Sequence, residues 1–161
     1  MKRILKRFLF PTIIIVLVIL ILVLLSLNGG MYDDLVTYTT YQLMFGANYK
    51  NTTVEFFNVN PVGVIAFVLL IAGAILSLID FKYDKYILAS LFCITSILIM
   101  ILPISVNKTE VAKYLIEVIE ANGDGYMMIL AGPYVCASIS LIIAIFSLFK
   151  KQFNSLFKIS K

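Results

Sequence analysis

The chain has 161 residues, 61% of them in the hydrophobic class and only 14% charged, with a formal net charge of +4 and a mean hydropathy of +1.02. Soluble domains are about 45–50% apolar and about a quarter charged, and a domain of this size leaves too much surface exposed to hide such an excess. A soluble enzyme, a nucleic-acid binder and a disordered regulator are therefore excluded, and the expectation is a single all-α membrane domain over 1–161.

Lys2, Arg3, Lys6 and Arg7 precede the first uncharged run, from about Phe8 to Leu27. A cleavable signal has an apolar region of roughly 7–15 residues ending at small residues. This run is longer and ends in Ser26-Leu27-Asn28, so it reads as an uncleaved anchor. Residues 28–60 form the first loop. Val36–Tyr41 and Val54–Phe57 are rich in β-branched and aromatic residues, and Gly46-Ala47-Asn48 between them reads as a turn. The expectation is a short antiparallel β-pair, with an interfacial segment at Leu43, Met44 and Phe45 as the alternative.

Uncharged runs follow at about Pro61–Ile79 and Tyr86–Ile104, each near the 20 or so residues that cross a bilayer as a helix. In the second loop, 105–125, Asn107-Lys108-Thr109-Glu110 reads as a variant capping box. Val111, Tyr114, Leu115, Val118 and Ile119 then recur at helical spacing, predicting a short amphipathic helix that ends at Asn122-Gly123-Asp124-Gly125. Tyr114, Glu117 and Asp124 are its candidate partner-binding residues. A helix packed over the end of the bundle is the plainer reading. Asn51-Thr52-Thr53 and Asn107-Lys108-Thr109 match the glycosylation pattern, a short motif that arises often by chance.

The last run, about Tyr126–Phe149, contains Pro133, which removes a bond to the Ile129 carbonyl and predicts a kink. The tail 150–161 holds Lys150, Lys151, Phe153, Leu156, Phe157, Lys158 and Lys161. Phe149, Phe153, Leu156 and Phe157 lie on one helical stripe. Lys150, Lys151, Phe153, Phe157 and Lys158 are thus expected to anchor the chain to an anionic inner leaflet. Ten of the thirteen Lys and Arg lie in the N-terminal segment, the 80–85 turn and the tail, whereas the two long loops hold seven carboxylates. The positive-inside rule then places both termini in the cytoplasm of a multi-pass plasma-membrane protein.

Helices in lipid associate through small residues. Gly73 and Ser77, Ala89 and Cys93, and Gly132, Cys136, Ser140 and Ala144 are the expected packing positions, with spans two to four most tightly joined. The first span has no small residue between Ile13 and Leu25 and is expected to face lipid or a partner over much of its surface. Cys93 and Cys136 lie at similar depth. A redox pair is conceivable, but small apolar cysteines filling a helix contact are commoner.

Tyr41–Gly46, before the second span, and Gly123–Gly132, entering the fourth, resemble segments of uncharacterised small four-span membrane proteins from low-GC Gram-positive bacteria and mollicutes. The layout is also similar to that of claudins in topology alone: the first loop has neither the Trp-containing motif nor the cysteine pair of that family. The chain has no His, no zinc-type Cys spacing and no ionisable residue within a span, which disfavours catalysis, metal or cofactor binding and ion relay. What remains is a non-catalytic accessory or self-associating envelope subunit whose outer loops touch another membrane protein or a second copy. A small oligomeric transporter or channel is the alternative, with Thr95, Ser96, Ser138 and Ser140 as the polar groups a pathway would use.

Overall fold

The apolar runs become long helices, and the loops between them build a small β-platform at one end. The computed structural model describes residues 2–32, 36–49, 52–80, 82–106, 108–121, 127–150 and 152. In chain order these form α1 (Lys2–Leu24), β1 (Asn28–Tyr32), β2 (Val36–Thr39), α2 (Thr40–Phe45), β3 (Ala47–Asn48), β4 (Glu55–Phe57), α3 (Pro61–Ser77), α4 (Asp84–Ile101), α5 (Glu110–Ala121), β5 (Met127–Ile129) and α6 (Ala131–Leu148). The described chain is mostly helical, with two small antiparallel sheets, ordered β2-β1-β5 and β3-β4. α4 and α6 are each long and apolar enough to cross a membrane, and the apolar helical stretches Leu9–Leu24 and Pro61–Ser77 are shorter.

The long helices pack in a ring, α1 against α3 and α6, and α4 against α3 and α6. α1 is less free than its lack of small residues suggests. Phe10, Ile14, Val18, Ile21 and Leu25 are all buried, and their spacing of three to four puts them on one stripe of the helix. Val16, Ile19, Leu20 and Val23 on the rest of its circumference are exposed.

The β-pair expected in the first loop forms with different partners. Val36–Thr39 pairs with Asn28–Tyr32, and β4 pairs with Ala47–Asn48, the segment expected to be a turn. Between them Thr40–Phe45 is helical, because Thr39 and Gln42 form a capping box: Thr39 Oγ1 accepts from Gln42 N at 3.2 Å and Gln42 Oε1 accepts from Thr39 N at 2.8 Å. These reciprocal bonds satisfy two backbone donors that a helix start otherwise leaves without partners. The turn after α1 supplies two acceptors, since Thr40 N donates to Leu27 O and Tyr41 N to Leu25 O, both at 2.9 Å. Leu43 and Met44 are fully buried, so they fill the protein core and not an interfacial segment. Gly46 closes the helix at φ +91°, and a Cβ there would lie 2.8 Å from Phe57 O. Only glycine meets both conditions.

Met127–Ile129 is a strand paired with β1, so the fourth helix starts later than its composition suggests. Pro133 consequently sits in the first turn of α6, where a backbone N–H has no intrahelical partner to lose. The kink expected at Pro133 therefore has no cause.

Candidate functional site

Two polar constructions stand out, one at each end of the helices. At the platform end, Asn60 precedes Pro61, the favoured order of a cap followed by a residue with fixed φ. Its Oδ1 accepts from Val62 N at 3.0 Å, while Nδ2 donates to Ser105 O at 2.9 Å and to Ser105 Oγ at 3.2 Å. Its backbone N–H donates to Met44 O at 2.9 Å. One buried carboxamide thus joins the start of α3 to the segment after α4 and the end of α2. Above it, Tyr38, Tyr49, Phe56 and Phe57 form an aromatic cluster with centroid separations of 4.7–5.6 Å. That cluster bridges the two sheets.

The amphipathic helix predicted in the second loop forms as α5, with Thr109 as its cap; Asn107, the expected cap, lies outside the described residues. Thr109 Oγ1 accepts from Ala112 N at 3.1 Å and donates to Glu55 O at 2.8 Å. The cap thereby ties α5 to β4. α5 buries Ala112, whereas Val111, Tyr114 and Val118 are 46%, 67% and 42% exposed. Those three residues of the expected stripe are therefore turned outward. Glu117 is exposed beside Tyr114, and Asp124 lies outside the described residues.

At the other end, Lys150, expected to anchor the chain to the inner leaflet, is buried in a charge group. Its ammonium lies 2.5 Å from Asp84 Oδ2 and 3.0 Å from Asp80 Oδ1, with its side chain only 6% exposed. It also stands 5.4 Å from the centroid of the Phe10 ring, which stacks on Phe146. α1, α4 and the segments that follow α3 and α6 thus converge on one cation. A cation this deeply buried requires such partners, because desolvation strongly disfavours it alone. Lys151, Phe153, Phe157 and Lys158 lie outside the described residues.

Between the two ends, the predicted packing residues serve contacts. Gly73, Ser77, Gly132, Cys136, Ser140 and Ala144 are buried, and Ala89 and Cys93 are half-buried. A Cβ on Gly73 would come within 2.7 Å of Phe92 Cζ, and one on Gly132 within 2.6 Å of Thr40 Oγ1 and 2.7 Å of Asn28 O. α4 and α6 are joined by reciprocal bonds. Ser96 Oγ donates to Ala137 O at 2.8 Å, and Ser140 Oγ donates to Phe92 O at 2.9 Å. Thr95 and Ser138 donate to carbonyls of their own helices. Both cysteines are free thiols, and Cys136 Sγ approaches Ile21 O of α1 at 3.9 Å.

Sequence reasoning passed over Thr39, Gln42, Asn60 and the Asp80–Asp84–Lys150 group. The first two were readable as a Thr-x-x-Gln capping box, and the third as a cap before proline. For the last, the only hint was two carboxylates four residues apart in an otherwise basic turn. The chain matches no protein-family model, and neither a curated protein nor a solved structure shows significant similarity to it.

Proposed function

We propose that this chain is a non-catalytic four-span membrane protein with both termini in the cytoplasm, acting as an accessory or self-associating subunit through its outer platform. The four apolar helices form the spans. α3, at 17 residues, is about 25 Å long at 1.5 Å per residue, close to the hydrocarbon thickness once Leu78 and Ile79 are added. Exposed Ile, Leu, Val and Met side chains along all four helices supply a lipid-facing surface, which a water-soluble protein of this size would not tolerate. The Asp80–Lys150 end carries the basic segments and so lies inside. Scaffold function is favoured over transport because Thr95, Ser96, Ser138 and Ser140, the hydroxyls a pathway would use, are committed to backbone carbonyls.

The observation that carries the partner reading is the exposed stripe Val111, Tyr114 and Val118 on α5, a helix held to the platform by its own cap. A tyrosine is among the side chains enriched at interface centres, and here it is the most exposed of the three. The test is the mass of the complex extracted in mild detergent, comparing wild type with Tyr114→Asp/Val118→Asp. Wild type is expected as a complex heavier than one copy, and the double variant as a monomer with unchanged helix content. A monomeric wild type with nothing co-purifying would sink the reading.

A further inference from the structure

The platform contains a second feature besides the exposed residues of α5. The end of α2, β3, β4 and the connection to α3 enclose an open cleft of about 450 Å³, within the roughly 300–1,000 Å³ range of small-molecule sites. Its polar lining is Gln42, Asn48, Glu55 and Asn58, and its apolar lining includes Phe45 and Val59. The fold uses little of that polarity. Gln42 Oε1 is held by Thr39 N, which fixes the carboxamide and leaves its NH₂ as a donor. The side chains of Asn48, Glu55 and Asn58 are exposed and make no hydrogen bond or ion pair among the described residues. The frame around them is hydrogen-bonded: Gly46 N donates to Gln42 O at 3.0 Å and Asn60 N to Met44 O at 2.9 Å.

We propose that this cleft binds a neutral saccharide, the terminal sugar of a glycan or a free glycoside. The ligand class follows from the donor and acceptor inventory. No Lys or Arg is among the described lining residues, and the Glu55 carboxylate repels anions, which removes phosphates, nucleotides and acids. An apolar ligand would strip water from the carboxamides without replacing their hydrogen bonds. A small ammonium ion would satisfy Glu55 and leave the carboxamides unused. Sugar hydroxyls donate and accept together, matching carboxamides, which offer both functions, and a carboxylate, which accepts from two neighbouring hydroxyls. The C–H face of the ring rests against Phe45 and Val59.

The experiment is ligand-observed saturation-transfer NMR on the full chain in detergent. The probes are methyl glycosides of glucose, galactose, mannose and N-acetylglucosamine, with ethylammonium and inorganic phosphate alongside. At least one glycoside is expected to saturate in the millimolar range, with no saturation by phosphate. Asn58→Leu and Glu55→Gln should each weaken that glycoside at least tenfold, without changing the thermal melt, because neither side chain holds the fold. Saturation by ethylammonium but by no glycoside overturns the proposal. So does failure of every glycoside to saturate, or binding that both variants leave intact.

Discussion

Replacing Lys150 with Met tests the buried charge group most directly. Met retains most of the aliphatic stem and removes the cation held by Asp84 at 2.5 Å and Asp80 at 3.0 Å. The two arms are not equivalent. The Asp84 side chain is 11% exposed and the Asp80 side chain 48%, so water screens the second far more. A half-exposed ion pair contributes at most about 1 kcal/mol. Breaking a buried pair by removing one partner costs about 3–5 kcal/mol, because the remaining charge stays desolvated. Lys150→Met should therefore lose about 3–5 kcal/mol, nearly all from the Asp84 arm, whereas Asp80→Asn should lose no more than about 1 kcal/mol. The assay is reversible denaturation in mixed micelles, followed by circular dichroism. Lys150→Met/Asp84→Leu should recover most of the loss, since an apolar pair of similar volume can replace a buried ion pair almost without penalty. If Lys150→Met melts like wild type, or if the double variant is as unstable as the two single losses added, the buried-charge reasoning is refuted.

Other substitutions probe the packing. Gly132→Ala places a methyl 2.7 Å from the Asn28 carbonyl, a backbone atom that cannot rotate away, so a loss of about 1–3 kcal/mol is expected; an unchanged melt would contradict it. Ser96→Ala and Ser140→Ala should each lose only about 0.6 kcal/mol, the usual worth of an interhelical hydrogen bond in lipid, and a loss several times larger would show that the crossing depends on those hydroxyls. Thr109→Val removes both the α5 cap and its bond to Glu55 O. About 1–2 kcal/mol of local stability should go, seen as faster amide exchange confined to α5; uniform exchange across the chain would argue against a local role. Cys136, fully buried against α1, should resist maleimide until the protein is denatured, and rapid native labelling would mean that the α1–α6 contact opens.

The positions of the long helices were legible because uncharged runs of this length admit few structures. The small residues were legible for a similar reason: spacing of four places Gly132, Cys136, Ser140 and Ala144 on one face. The first loop is legible only in part because two local signals compete. The alternation of β-branched and aromatic residues through Val36–Tyr41 suggests a strand throughout, whereas Thr39 and Gln42 carry the chemistry that starts a helix. The capping box prevails from Thr40 onward, helped by the carbonyls of the turn after α1.

Composition and charge order thus determine which segments are helical, where the small contacts lie and which ends are basic, since these follow from the neighbours along the chain and their period. Tertiary structure alone decides that β1 pairs with both β2 and β5, that α5 turns Val111, Tyr114 and Val118 outward, and that Asn48, Glu55 and Asn58 share a cleft. It also decides the fate of Lys150. A lysine after an apolar helix is ordinarily solvated or drawn to lipid headgroups, because burying its charge alone is too unfavourable. Only the convergence of Asp80, Asp84 and Phe10, from 66 to 140 residues away in the chain, makes the interior a place where that charge can reside.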